Sequence, residues 1–593
     1  MGLKSSTRQS QDNYGHCFAY HLSPDSSVIV SFSKPLARKM IYDVAIIGAG
    51  PCGLAAAARL REATPSALFT DDEHERYWRR FKRTETIESE KKKRRRKASS
   101  ASILSEPELP SRSMVVLDGH SNQWMSAWKE RFKHLQIDHL RSPLFFHPDP
   151  RDRDGLLGYS HFHDRAGELR EIHNVVGREL SKHRTKKKRD KKVARHLRID
   201  DRDRVDYFTP STRLFDDFCQ DIIHRYQLQD LIVQAQVQNI EYGDVGSVTD
   251  PKLFALTTDR GTIFSKTVVL AVGPGAKPKI PSDCQLRLDM HRGSVCHCFE
   301  AIGSSCMPEH VSRKINERQP TSVVVVGGGL TSAQIADLLL SRGVTKVFLL
   351  LRGKYKLKHF DVDLEWVSKV RNQQMAVFWS ADTDEERFEM LKMARNGGSI
   401  TPSYDKILKK HVANGVLRIV PHTCIEDGTW CCRSQTWTLW LSSASDSESV
   451  LSGIDHVIYA TGAAPNINNV SCMQRMLTEY PVESINGLAR VTDDLMWQDD
   501  VPLFLTGGLA GLRLGPGAAN LAGARQGAER IAWKIDEILG RPKAEAEGDG
   551  SESGSASTLE HRALPGRPSR ASLSKDRSEF TGSFNNQFEA LSI

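Results

Sequence analysis

Among its 11 cysteines, the 593-residue chain has no Cys-x-x-Cys pair. The closest groupings, Cys296-His297-Cys298 and Cys431-Cys432, lack the two spaced pairs of a structural zinc site. No metal is therefore expected, and the thiols are expected to be reduced. The missing pair also argues against a disulfide reductase, which works through two redox-active cysteines. No apolar run approaches the roughly 20 residues needed to cross a bilayer, and the N-terminus lacks the apolar core of a secretory signal. The expectation is a protein without a membrane span, in the cytoplasm. Hydrophobic residues are scarce for a compact enzyme, at 39%, while charged residues make up 26%. That mixture implies folded domains diluted by polar segments.

The length suggests roughly three to four domain-sized units. Net charge is +9, and much of the excess lies in two runs, Lys91–Lys97 and Arg184–Arg198. A positive surface of this kind attracts phosphorylated partners but is silent about fold, and no nucleic-acid partner is expected. Residues 1–39 read as a polar extension, 82–112 and 181–198 as basic insertions, and 541–593 as a disordered tail. Between them the chain is expected to be α/β, with two Rossmann-like dinucleotide-binding domains, one inserted in the other. The boundaries are 40–315 and 453–540 for the outer domain and 316–452 for the inserted one.

The apolar run Ile41–Ile47 suits a buried parallel strand, and Gly53–Arg61 suits a helix. Between them lies Gly48-Ala49-Gly50-Pro51-Cys52-Gly53. Gly48 permits the tight turn, Gly50 lets the backbone approach a pyrophosphate, and Gly53 lets helix and strand pack closely. Pro51 belongs to the same fingerprint, and the N-terminal amides of the helix face the phosphates. A ribose-binding acid belongs at the end of the next strand, usually ~20 residues on. Asp71 has that spacing, whereas Asp118 closes the better strand, Met114–Asp118, so both remain candidates. A helix bearing Trp124 and Trp128 follows Asp118; these tryptophans pack in the core, or one of them lies beside the bound cofactor. Further helix is expected over Thr209–Tyr226, and strands over Ile232–Ile240, Leu253–Thr258 and Thr267–Ala271.

A second strand–loop–helix–strand unit runs from Val323 to Leu351, with Gly327-Gly328-Gly329-Leu330-Thr331-Ser332 at its turn. Ser332 replaces the third glycine and is small enough for close packing. Arg352 stands where an NAD-preferring site carries an acid, and a guanidinium there can fork onto the 2′-phosphate of NADPH. Lys354, Lys356 and Lys358 add positive field. Two small-residue turns, Ala271-Val272-Gly273 and Ala460-Thr461-Gly462, bracket this unit and mark where the chain crosses between domains. Finally, Phe504–Gly508 and the glycine-rich start of a helix at Gly515–Asn520 present Gly507 and Asn520 to a ligand carrying negative charge.

With these residues assembled, the chain resembles the class B flavin monooxygenases that carry two dinucleotide-binding domains. Within them it is most similar to the ornithine/lysine N-hydroxylase branch, specifically fungal ornithine monooxygenase-like proteins, over about residues 41–537. Gly48, Gly50 and Gly53 match the FAD fingerprint; Gly327, Gly329 and Ser332 match the NADPH fingerprint; Asp455–Gly462 matches the element ending Ala-Thr-Gly of N-hydroxylating members. The chain departs from the branch at Ala463, where a tyrosine is usual, and at His139-Leu140-Arg141-Ser142-Pro143, which takes the place of a lysine-containing, flavin-facing segment. The resemblance makes Arg141 a flavin or nicotinamide contact and likens Asn396–Pro402 to an ornithine-holding segment. It implies FAD and NADPH as cofactors, and O2 and a small amine such as L-ornithine as substrates. Hydride would pass from NADPH to FAD, and a hydroperoxyflavin would give its distal oxygen to the amine. No side chain need act as a nucleophile, so no catalytic residue is assigned.

Two other readings stand beside the N-monooxygenase: an FAD/NAD(P)H-dependent reductase or oxidase, and a non-catalytic regulator that retains the flavoprotein fold. The ratio of hydroxylated product to NADPH consumed separates the first two, and a protein that cannot be loaded with FAD would be the third.

Overall fold

The computed structural model describes residues 41–62, 112–175, 204, 206–244, 252–273, 280, 294–299, 307–368, 371–443 and 449–540. The extension 1–39, most of the segment 82–112, the segment 181–198, the tail 541–593 and Asp71 lie outside them. The chain opens with β1 (Ile41–Ile47), α1 (Pro51–Arg61) and β2 (Met114–Asp118). It continues through α2 (Ser126–His134), α3 (Thr212–Arg225), β3 (Ile232–Gln234), β4 (Val237–Gly243), β5 (Leu253–Thr258) and β6 (Gly261–Leu270). Then come β7 (Val295–His297), β8 (Ser322–Val326), α4 (Leu330–Ser341), β9 (Lys346–Leu350), α5 (Asp384–Arg395), α6 (Pro402–Ala413) and β10 (Leu417–Val420). An antiparallel trio follows, β11 (Thr423–Cys431), β12 (Thr436–Ser443) and β13 (Val450–Ile454), and then β14 (His456–Tyr459). The described chain ends with β15 (Met496–Gln498), β16 (Val501–Leu505) and α7 (Leu521–Leu539).

The first sheet has the order β15-β16-β6-β1-β2-β3, and the β4–β5 hairpin joins it at β6. The second is wholly parallel, in the order β10-β9-β8-β14-β7. The chain leaves the first sheet after β6 and returns to it at β15, so one dinucleotide-binding fold is inserted in the other. Hydrogen bonding carries the second sheet outside 316–452 at both ends. Val295 pairs with Val457, and Val323 pairs with His456. Central strands are buried on both faces: Val44, Ile46, Val116, Val323, Val325 and Leu349 are fully buried, as runs of branched residues in parallel sheets require.

The single strand expected over 232–240 is two. β3 pairs with β2 as far as Gln234, the Ala235 amide donates to the Asp118 carbonyl at 3.0 Å, and β4 then takes a new partner, β5. Ser211 is the N-cap of α3, its hydroxyl accepting from the Leu214 amide at 3.0 Å.

Helices α1 and α7 pack together across a buried ion pair. Arg59 donates from Nε and Nη2 to the two carboxylate oxygens of Glu529, at 2.6 and 3.0 Å, and both side chains are buried. Removing one partner of such a pair leaves an uncompensated charge, so Glu529→Gln is expected to lower unfolding stability by about 3 kcal/mol. Chemical denaturation of the variant against the parent measures it.

Candidate dinucleotide-binding sites

Each glycine loop lies at the C-terminal end of a strand whose neighbours lead away on opposite sides: β1 between β2 and β6, and β8 between β9 and β14. Ligands of open α/β sheets bind at these points of reversed strand order.

In the first loop Gly48 has φ +108°, and its amide donates to the Leu117 carbonyl at 2.8 Å. A Cβ there would sit 2.5 Å from the Ala271 carbonyl oxygen, and one on Gly53 would sit 2.0 Å from the Gly48 oxygen. Gly50 differs: its backbone is extended, and a Cβ would meet no atom within 4 Å. No side chain caps α1, whose first residue is Pro51. The vacant space, uncapped amides and helix dipole together suit a diphosphate, so these residues fit an FAD. Asp118 ends β2 beside the loop. Its Oδ2 accepts the Ala49 amide at 2.8 Å, and its Oδ1 accepts the amides of His120 at 2.8 Å and Ser121 at 3.2 Å. Desolvation pushes the Cys52 thiol, inside the loop, up to about 11 against a weaker opposing hydrogen bond with Thr506.

Gly507 lies against this loop with φ +67°, and a Cβ there would be 3.2 Å from Cys52 Sγ. Asn520 serves as the N-cap of α7, its Oδ1 accepting the amides of Ala522 at 3.0 Å and Gly523 at 3.3 Å. Its carbonyl oxygen is therefore committed to the helix. Trp124 is a core side chain: it is buried, and its indole N–H donates to the Leu228 carbonyl at 2.9 Å. That geometry favours the packing role over a place beside the cofactor.

The second loop repeats the first. Gly327 has φ +154°, and a Cβ there would fall 2.4 Å from the Ala460 carbonyl oxygen. Ser332 is fully buried, with its hydroxyl on the Gly329 carbonyl at 2.7 Å, so a serine does satisfy the close-packing position. A cleft of about 400 Å³ opens before this loop, lined by Gly327, Gly329, Arg352, Gly398, Thr461 and Gly462 among others. Thr461 and Gly462, which fall in the 453–540 stretch, thus line the inserted fold's cleft. Arg352 is exposed and has no hydrogen-bond or ion-pair partner among the described residues.

Its neighbours are otherwise employed. Lys356 donates to the Asn396 carbonyl at 2.6 Å and side chain at 2.8 Å, while Lys358 reaches Asp363 at 2.8 Å and the Arg395 carbonyl at 3.0 Å. Both ammonium groups meet the carbonyl end of α5 and its cap, where cations are favoured. They do not line the cleft. The Nε and Nη2 donors of Arg141 are likewise engaged, with the carbonyls of residues 358–360 and with Ser399. The segment likened to an ornithine holder supplies a wall of this cleft through Gly397 and Gly398, and its Thr401 lines a neighbouring cavity. Sequence reading missed this wall; its one signal was an unexplained Gly-Gly pair outside any strand–helix turn. A second cavity of about 580 Å³ shares Cys298, Phe299 and Thr331 with the cleft and is lined further by Asp138, Arg141 and Asp337.

The family model described as pyridine nucleotide-disulphide oxidoreductase matches residues 42–377, which takes in both glycine loops. The chain belongs to this family. A curated relative, an uncharacterized CzcO-like oxidoreductase of Geobacillus kaustophilus (strain HTA426), is 25% identical over 222 residues, 35% of this chain and 51% of that protein. The chain thus spans about half the length of the relative it matches. Among solved structures it is similar to an ornithine N-hydroxylase of Kutzneria sp. 744, in a complex with reduced FAD, NADP+ and L-ornithine. The TM-score is 0.54 at 15% identity, over 84% of this chain and all of that one. It is also similar to an FAD-bound cadaverine monooxygenase of Erwinia amylovora (TM-score 0.52, 15% identity, 88% and 100% covered) and an L-lysine 6-monooxygenase of Pseudomonas syringae (0.52, 15%, 84% and 100%). At these identities the likeness is one of fold, the two-unit architecture of class B flavin monooxygenases. Among the described residues no helix is long and apolar enough to span a membrane, and no cluster of three or more His, Cys, Asp or Glu side chains could hold a metal ion.

Proposed function

We propose that the protein is an FAD- and NADPH-dependent monooxygenase that N-hydroxylates a primary amine of the L-ornithine class. One observation carries the reading: two glycine loops at two switch points, the first with open space before Gly50 and the second with an unpartnered Arg352 beside it. FAD would lie at Gly48–Gly53, with Asp118, which accepts the Ala49 amide, as the candidate for the ribose. NADPH would lie at Gly327–Ser332, with Arg352 on its 2′-phosphate. When bound, the pair supplies hydride transfer and O2 activation; this chain's residues bind and orient it. The 580 Å³ cavity adjoining the cleft is lined by Asp138 and Asp337 together with Arg131, Arg141 and Arg170, a mixed-charge lining that suits an amino acid carrying both an ammonium and a carboxylate. The eight described cysteines are free thiols, in keeping with a reducing compartment, and the cytoplasm is the proposed location.

Spectroscopy and product analysis test the reading. The purified protein should be yellow, and NADPH should bleach it faster than NADH does. Ornithine, lysine and simple diamines, offered in air, should yield hydroxylamine in proportion to NADPH consumed. If peroxide accounts for all the NADPH with every amine, the protein is the oxidase instead, and a preparation that takes up no FAD excludes both.

A further inference from the structure

Arg141 belongs to the first unit, in the segment between α2 and α3, yet the acceptors of its Nε and Nη2 all lie in the inserted unit. Nε donates to the His359 carbonyl at 3.0 Å, and Nη2 donates to the carbonyls of Lys358 at 3.0 Å and Phe360 and to Ser399 Oγ at 2.9 Å. The two stretches it holds are already joined to each other. Leu357 and Ile400 form a parallel bridge, the Lys358 amide donates to the Ile400 carbonyl at 3.1 Å, and the Ile400 amide donates to the Lys356 carbonyl at 2.9 Å.

One residue before Ser399 the chain touches the second glycine loop. A Cβ on Gly398 would lie 2.7 Å from the Gly329 nitrogen and 2.8 Å from the Gly328 carbonyl carbon. The step that brings it there is left-handed at Asn396 (φ +46°) and Gly397 (φ +78°). Lys356 anchors its start at Asn396, and Arg141 anchors its end at Ser399. The cleft wall at Gly397–Gly398 is therefore a short strap tied at both ends. One tie reaches across from the other dinucleotide-binding fold. The guanidinium is half-buried, and desolvation pulls its pKa down to about 10 with Asp361 opposing. A partly desolvated cation of this kind holds its acceptors firmly, because losing them leaves the charge less well paired.

We propose that Arg141 is a positioning residue for the pyridine nucleotide: by clamping residues 358–360 and Ser399 it holds Gly398 against Gly328–Gly329 and so sets the width of the nucleotide cleft. This rests on the nucleotide assignment made above. Affinity at the second loop then depends on a side chain of the first fold. Because Arg141 acts on the loop and not on the 2′-phosphate, NADPH and NADH should respond alike.

The test uses the full chain loaded with FAD. Dissociation constants for NADPH and NADH are measured alongside flavin content and deuterium uptake of peptides covering residues 396–401, in Arg141→Ala, Arg141→Lys and Ser399→Ala. Arg141→Ala should keep its flavin, weaken both nucleotides by about tenfold, as loss of several charge-assisted hydrogen bonds would, and speed exchange at 396–401. Arg141→Lys should recover little, because a single ammonium cannot span the forked acceptors. Ser399→Ala should give the same pattern more weakly, about threefold. Parental affinities and exchange in Arg141→Ala would overturn the proposal alone. If that variant also loses flavin, Ser399→Ala decides, supporting the proposal when exchange and nucleotide binding shift together and overturning it when neither does. A parent protein that binds no pyridine nucleotide would overturn the functional reading and this inference with it.

Discussion

Replacing Arg352 with alanine should raise the NADPH dissociation constant by about thirtyfold while leaving NADH within about twofold, the scale expected for losing a charge-assisted contact with one phosphate. Arg352 lies two residues past the end of β9 and lines the 400 Å³ cleft with Gly327–Gly329. No described residue competes for its guanidinium. The two lysines closest in kind cannot stand in for it, because Lys356 is bound to Asn396 and Lys358 to Asp363 and the Arg395 carbonyl. The preference should also fade as salt rises, since the arginine is exposed and its field is screened within about 10 Å at 0.1 M ionic strength. Stopped-flow reduction of the flavin by each nucleotide reads the ratio directly. An equal loss for NADH and NADPH would mean that Arg352 shapes the cleft without reading the 2′-phosphate.

The larger effect belongs to Gly50. Gly50→Leu should fold, because the backbone there is extended and the new side chain projects into open space, yet it should lose FAD by about a hundredfold or more, the cost of filling the place where a diphosphate meets the backbone. Gly53→Ala gives the contrasting outcome. Its Cβ would lie 2.0 Å from the Gly48 oxygen, so α1 must move off β1, and overpacking of this kind costs about 1–3 kcal/mol in stability. The two variants separate a cofactor contact from a packing contact within one hexapeptide. Flavin absorbance and far-UV circular dichroism on the apo-proteins read the difference. A fully yellow Gly50→Leu protein would place the cofactor elsewhere.

Much of the architecture was legible before any coordinates. Ile41–Ile47, Met114–Asp118 and Leu253–Thr258 are strands at the expected bounds, because each is a run of residues suited to a buried strand with a turn after it. The helix after the first glycine loop begins at Pro51, two residues ahead of Gly53 where the apolar pattern starts, since proline's fixed φ suits a first helical turn. Sequence was less informative about long polar side chains. Arg141, Lys356 and Lys358 all read as cations available to a ligand, and all three are bound to carbonyl oxygens of the chain itself. Trp124 likewise offered two roles, and only the Leu228 carbonyl separates them.

By itself the sequence determined the two glycine turns and the strand–helix units around them, because a positive φ and the absence of a Cβ are requirements met within a few neighbouring residues. The tertiary structure alone decided which sheet received residues 456–459, what Arg141 grips 217–219 positions away, and that Gly398 would wall the second cleft. Those outcomes depend on strand pairings and side-chain reaches between segments far apart in the chain, for which hydrophobic periodicity carries no signal.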